Sequence, residues 1–152
     1  MVLDPIIGGY HFHTSPDGRW QQSKPDISGH YPQNGDRTTK ICHSNTTFKG
    51  VTPGPGAHCT GTLLLEVIFG FPDNFCSENL TFHIAPFQSG YQALLGREAV
   101  ARFNAIPHYA SLMLKMPGPR GIITVNGNIE RSLRAEDRAA ALASAHQNGL
   151  SN

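Results

Sequence analysis

The sequence of 152 residues lacks any apolar run long enough to cross a lipid bilayer. It also lacks an excess of charge of either sign, because its formal net charge is only +1. A surface without a basic excess gives no electrostatic attraction to nucleic acid or to anionic lipid. The first ten residues, Met1 to Tyr10, have neither the basic segment nor the extended apolar segment of a secretory signal. We therefore expect an intracellular, cytoplasmic protein that binds neither membrane nor nucleic acid.

Motifs for metal, phosphate and nucleophilic chemistry are missing as well. Cys42, Cys59 and Cys76 are an odd number at wide spacing with no Cys-x-x-Cys pair, which fits reduced thiols better than disulfides or a zinc site. No Gly-Lys-Ser/Thr sequence follows the glycines, and no Gly-x-Ser-x-Gly nucleophile elbow occurs. We predict no metal site and no cofactor.

Composition divides the chain into three zones. The first zone is poor in large apolar residues: from His13 to Lys40 these are only Trp20, Ile27 and Tyr31. So few apolar side chains cannot offset the entropy lost on ordering, and we predict mostly irregular structure there. The second zone is β-rich. The third favours a helix from Ser132 to His146 whose apolar face is mostly Ala, or a disordered linker. The zones are residues 1–45, 46–128 and 129–152.

The β-rich zone contains two predicted hairpins and one short helix. The run from Gly61 to Gly70 is almost entirely apolar, and Leu80 to Pro86 alternates apolar and polar residues, as strands do. Between them, Phe71 to Asn74 contains Pro and Asp, which favour a tight turn. The second predicted hairpin has the strands Leu112–Met116 and Ile122–Val125, and the predicted helix is Arg97–Phe103.

A short motif lies just before this predicted helix. It reads Leu94-Leu95-Gly96-Arg97 and continues directly into the helix. This order resembles the hydrophobic-hydrophobic-Gly element of retropepsin-like aspartic proteases, which lies near the end of their domain. The resemblance implies that Leu94 and Leu95 pack beneath the active-site loop. It also implies that Gly96 permits a close approach of backbone.

The flanking sequence resembles a particular group within that family. Residues 47–54 and 103–128 are similar to the protease-to-reverse-transcriptase region of plant gypsy-type retrotransposon Gag-Pol polyproteins, and Asn104–Tyr109 and Met116–Gly121 are the most specific runs. The resemblance implies a mainly β fold, namely an incomplete retropepsin-like (acid protease) barrel with one short helix and a C-terminal helical tail. An intact relative would be an aspartic endopeptidase that processes its own polyprotein as a homodimer.

The resemblance covers residues 1–12 and about 39–147, and it skips the stretch where the family carries its catalytic motif. An aspartic protease holds two carboxylates that share a proton, each in an Asp-Thr/Ser/Gly-Gly turn. Asp17-Gly18 has no apolar strand before it and no small residue between the Asp and the Gly. Asp26 fits no better. We predict no catalytic residue, and Asp17 is the weak candidate that remains.

The genetic code offers an explanation for the missing motif. Codons that encode Ser15 to Gln22, read one base later, permit the run Val-Leu-Met-Asp-Gly-Gly-Ser, which is an apolar lead followed by the family's Asp turn. We hypothesise two compensating frame changes, one near Phe12–His13 and one near Arg37–Thr39, that overwrite the catalytic strand and turn. The rival explanation is a wrongly spliced or wrongly assembled gene.

The sequence thus favours a degenerate retrotransposon aspartic protease domain without catalytic activity. Two alternatives stay open. One is a residual module that forms a dimer or binds peptides without chemistry. The other is an active aspartic endopeptidase that uses Asp17 in an unforeseen geometry.

Overall fold

The computed structural model describes residues 1, 3–14, 20–23, 42–44, 46–48, 57–86 and 93–149. Over these residues the protein is mainly β, as the sequence predicted. The strands are β1 (Ile6–Ile7), β2 (Tyr10–Thr14), β3 (Trp20–Ser23), β4 (Thr47–Phe48), β5 (Ala57–His58), β6 (Gly61–Phe71), β7 (Asn74–Ile84), β8 (Ile106–His108), β9 (Met113–Gly118) and β10 (Gly121–Asn126). The helices are α1 (Arg97–Arg102), a 3-10 turn (Tyr109–Ser111) and α2 (Ile129–Gly149).

The strands form three sheets in which neighbours run antiparallel. A five-stranded sheet has the order β3-β2-β1-β6-β7, a three-stranded sheet has the order β10-β9-β8, and β4 pairs with β5. Ile6 and Ile7 of β1 pair with Ile68 and Val67 of β6, so the N-terminus is part of the same sheet as the first hairpin. None of these sheets closes into a barrel within the described ranges.

The first hairpin, β6–β7, is the longest β element in the described residues. Its 11 cross-strand pairs run without a break from Gly61–Ile84 to Phe71–Asn74. Three consecutive residues of β6, Val67 to Phe69, are buried, which shows that both faces of this strand are covered. Coverage of both faces at these three positions explains why the sequence there is continuously apolar, whereas Leu64 and Phe71 of the same strand are exposed. In β7 the alternation is also confirmed, because Leu80 is buried while Thr81 and His83 are exposed.

The turn of this hairpin depends on Gly70. Its φ of +111° lies in a region that side chains rarely adopt. A Cβ at Gly70 would also come within 2.3 Å of the Asn74 backbone oxygen and 2.9 Å of the Phe75 Cα. The chain then reverses over Pro72 and Asp73, and neither residue of that loop has a positive φ. The glycine before the loop therefore accommodates the twist that a primed turn would otherwise provide.

The second hairpin, β9–β10, touches the first at its tip. Its closing pair is Gly118–Gly121. The side chain of Asn74, at the tip of the first hairpin, accepts a hydrogen bond from the Arg120 N–H at 3.0 Å and donates to the Gly121 carbonyl at 3.5 Å. A Cβ at Gly118 would lie 2.6 Å from the Asn74 Oδ1, so the missing side chain makes room for this contact.

The hydrophobic core lies between the two hairpins and α1. Phe103, at the end of α1, is 2% exposed and meets the Phe69 ring edge-to-face, with centroids 5.1 Å apart and an interplanar angle of 77°. Burial of one such ring contributes roughly 1.5–3 kcal/mol. The buried members of the core are Ile7, Val67, Phe69, Leu80, Ala99, Phe103, Ala105, Leu114, Met116 and Ile123.

Several elements depart from the sequence-based expectations. The stretch from His13 to Lys40 was expected to be mostly irregular, but Trp20 to Ser23 form β3 and pair with β2. The strand β8 and the short β1, β4 and β5 were not predicted, since two or three residues carry no detectable period. The helix predicted from Ser132 to His146 is longer at both ends.

Candidate functional site

The predicted catalytic candidate cannot be placed beside a second carboxylate. Asp17 and Asp26 both lie outside the described residues. The strands that flank Asp17 in the sequence are β2 and β3, and Thr14 pairs with Trp20. Each Asp that the structure does describe is exposed: Asp4, Asp73 and Asp137. No described Asp therefore lies in a groove where two carboxylates share a proton.

The sequence Leu94-Leu95-Gly96-Arg97 leads into α1, which begins at Arg97. Leu94 is 51% exposed, while Leu95 packs partly against the core. Gly96 has φ −88° and ψ −170°, which any residue can adopt, and a Cβ there would meet no heavy atom of the described chain within 4 Å. Among the described residues, no backbone therefore approaches Gly96 closely.

The end of α1 is a Schellman motif, which fixes the direction of the following chain. The Ala105 N–H donates to the Val100 carbonyl at 2.9 Å, and the Asn104 N–H donates to the Ala101 carbonyl at 3.1 Å. Asn104 itself has φ +47°, which is the left-handed conformation that this motif needs and that Asn tolerates. The turn sends the chain back along the helix into β8.

The reversal forms an open depression between α1 and the segment of β8, with a volume of about 630 Å³. We call it the α1–β8 pocket. Its floor is apolar, and three polar side chains, those of Arg97, Asn104 and Tyr109, lie at it and are exposed. The described residues that line it are Leu95, Gly96, Arg97, Val100, Ala101, Asn104, Ala105, Pro107 and Tyr109. Among the described residues of this lining there is no carboxylate, imidazole or thiol, so its polar groups are a guanidinium, an amide and a phenol hydroxyl.

The polar groups of the pocket are not engaged by the protein itself. Over the described residues, Arg97 forms no ion pair, and the side chains of Asn104 and Tyr109 have no hydrogen-bond partner. Glu98 is adjacent to Arg97 in sequence, but neighbouring residues point about 100° apart around a helix. A cation, an amide and a hydroxyl therefore remain available to a ligand.

A second group of reactive side chains lies at the open end of the first hairpin. The buried Cys59 thiol donates to the Gly61 carbonyl at 3.0 Å, and its Sγ lies 3.7 Å from the His83 Nδ1. Elsewhere, burial raises the pKa of the Cys76 thiol, and the nearby Glu78 carboxylate raises it further. In the part of the chain that is described, no three His, Cys, Asp or Glu residues gather as metal ligands would.

Both segments that line the pocket stood out in the sequence, but the sequence did not predict that they lie side by side. Leu95 to Arg97 and Asn104 to Tyr109 were singled out only for their family resemblance. One signal was present: an Asn that follows Phe103 at the end of a helical pattern is a helix stop that favours the left-handed conformation. No pattern could have identified Val100 and Ala105, because Ala and Val at these spacings occur in any buried helix end.

Two further findings concern membrane-spanning helices and similarity to known proteins. Among the described residues, no helix is both long enough and apolar enough to cross a bilayer. Comparison of the chain with models of protein families, with curated proteins and with solved structures finds no match.

Proposed function

We propose that this chain is a degenerate retropepsin-like domain of retrotransposon origin that has lost aspartic protease activity. The observation that carries the proposal is the absence from the sequence of any Asp-Thr/Ser/Gly-Gly turn. The origin itself is supported by the resemblance of residues 47–54 and 103–128. Exposure of Asp4, Asp73 and Asp137 fits the loss of activity.

The chemistry explains why an isolated Asp does not suffice. Acid proteolysis needs two carboxylates close enough that one stays protonated while the other takes a proton from the attacking water. A homodimer supplies the second copy only if each chain holds its Asp beneath the substrate. Precise positioning accounts for roughly 7–11 kcal/mol of barrier reduction in favourable cases, so an Asp without such positioning gives no useful rate.

The test is a cleavage assay with the full chain and an unbiased peptide library from acid to neutral pH. We expect no cleavage above a protein-free blank at any pH. Cleavage that pepstatin inhibits and that Asp17→Asn abolishes would overturn the proposal in favour of an active endopeptidase. The origin is tested separately by the gene: a codon for Arg19 that begins with A would exclude the shifted Asp-Gly-Gly reading.

A second candidate function is a residual binding module. The α1–β8 pocket favours it, because its three polar side chains have no partner in the described structure and its floor is apolar. The volume of this depression lies within the range found for small-ligand sites. Self-association as a homodimer is a further form of this candidate, and light scattering over a concentration series would reveal it as a doubling of molar mass.

A further inference from the structure

We propose that the α1–β8 pocket binds a peptide through an apolar side chain that lies next to a carboxylate. This inference rests on the binding-module candidate and does not depend on the origin of the chain. The occupant is defined by two properties of the pocket, its apolar floor and its uncompensated positive charge.

The floor sets the apolar part of the ligand. Leu95 is partly buried, Ala105 is buried, and Val100 packs partly against the core, so these three side chains are held in place from behind. Pro107 is half-buried and has a fixed φ, which stiffens the opposite wall. A rigid apolar surface of this kind gains free energy when it covers a branched aliphatic or aromatic side chain.

The positive charge of Arg97 determines the polar part of the ligand. Arg97 belongs to the lining, carries a permanent positive charge and has no anion beside it in the lining. A guanidinium matches a carboxylate with two parallel hydrogen bonds, which a neutral amide cannot reproduce. The Asn104 amide can donate to the same anion or to a peptide carbonyl, and the Tyr109 hydroxyl can do the same from the far side of the pocket. Charge complementarity therefore favours an anionic peptide group over a neutral one.

The carboxylate has two possible sources in a peptide, the C-terminus and an acidic side chain. Both present the same chemistry to Arg97. They differ in the position of the apolar side chain, which is on the same residue for a C-terminal carboxylate and on a neighbouring residue for Asp or Glu.

The test uses the full 15N-labelled chain and small probes read by amide chemical shifts. The probes are N-acetyl-leucine, its carboxamide N-acetyl-leucinamide, and N-acetyl-aspartyl-leucinamide, which places the carboxylate on the preceding residue. For a probe of about a dozen non-hydrogen atoms we expect a Kd on the order of millimolar. The shifts should be confined to residues 95–109. N-acetyl-leucinamide should bind roughly three- to tenfold more weakly than at least one of the two acids, and the stronger acid identifies the source.

Variants separate the charge from the fold. Arg97→Gln should reduce the affinity for the stronger acid to that for the amide, and Arg97→Lys should give an intermediate value because it keeps the charge without the planar fork. Arg102→Gln is the matched control, since Arg102 is exposed on the same helix but does not belong to the lining. Asn104→Asp keeps a residue that tolerates the left-handed conformation and adds a negative charge. It should therefore weaken binding of the acid probe and leave binding of the amide probe unchanged.

The inference is overturned if acids and amide bind equally, if the shifts lie outside residues 95–109, or if Arg102→Gln has the same effect as Arg97→Gln. Inorganic phosphate that produces the same shifts at the same concentration would also overturn it, because the site would then be a general anion site. None of these outcomes changes the cleavage assay, so failure here leaves the proposed loss of protease activity intact.

Discussion

The two α-helices of the protein show that the length of a helix does not determine how much of it is buried in the core. The helix α1 has only 6 residues, yet Ala99 and the adjoining Phe103 are buried in the core. The helix α2 has 21 residues, and among those whose burial is described only Ser132 and Ala135 are buried. Tertiary burial of an apolar face supplies most of a helix's stability in a protein. Among the residues whose burial is described, the short helix therefore contributes more to the core than the long helix does.

The two helices are also held at different points. The end of α1 is fixed by apolar burial and by the Schellman motif at Asn104. The start of α2 is fixed by polar contacts: the Asn128 side chain accepts from the Arg131 N–H at 2.9 Å, and Arg131 forms an ion pair with Asp4 at 2.5 Å. The exposed ion pair contributes about 0.2–1 kcal/mol and the Asn128 cap roughly 0.5–2 kcal/mol, compared with roughly 1.5–3 kcal/mol for one buried aromatic ring.

Removal of the ring at the end of α1 should have the largest effect. We expect Phe103→Ala to lower the free energy of unfolding by roughly 3–5 kcal/mol, because it leaves a cavity against Phe69. Urea unfolding followed by circular dichroism measures the change. The matched control is Phe71→Ala, since Phe71 is 71% exposed and its loss should change stability by less than about 0.5 kcal/mol. Equal losses in the two variants would show that α1 is not part of the core.

A change in the turn after α1 should have an intermediate effect. Asn104→Ala should cost roughly 1–2 kcal/mol, since the residue has φ +47° and Ala is strained there. Asn104→Gly removes the same side chain without the strain and should be close to neutral. Thermal unfolding of the pair isolates the backbone conformation from the loss of the amide. If both variants unfold at the same temperature, the left-handed turn does not contribute to stability.

Truncation of α2 should have the smallest effect. A chain that ends at Arg138 keeps Ser132, Ala135 and the Asp4–Arg131 pair, and it removes no side chain that is described as buried. We expect the far-ultraviolet signal at 222 nm to lose helical intensity while the free energy of unfolding changes by less than about 0.5 kcal/mol. A loss of several kcal/mol would mean that the distal part of α2 packs on the body of the protein.

The sequence predicted those elements whose patterns are long. Gly61 to Gly70 and Leu80 to Pro86 were identified as strands because a continuous apolar run and an alternating run each extend over several residues. The strand β3 was missed because its apolar content is a single Trp20, and its pairing with β2 is a tertiary contact that no local pattern records.

The candidate site was less accessible to prediction than the fold. Pro107 and Tyr109 follow the helix in the sequence, and the left-handed turn at Asn104 brings them to the same pocket as Arg97. Gly96 illustrates a related difficulty. A glycine can mark a close approach, a positive φ or neither, and the sequence alone does not distinguish these cases.

The hydrogen bonds of Asn74 give one exposed turn an unusual property. The Arg120 N–H belongs to the loop of the second hairpin, where an amide proton would normally exchange with solvent at the rate of an open chain. Here its acceptor is the Asn74 side chain, which belongs to the first hairpin. The exchange rate of this amide proton therefore measures how often the two hairpin tips separate. The resonance of the Arg120 amide can therefore report how often the two halves of the core separate. Neither hairpin alone would slow the exchange at this site.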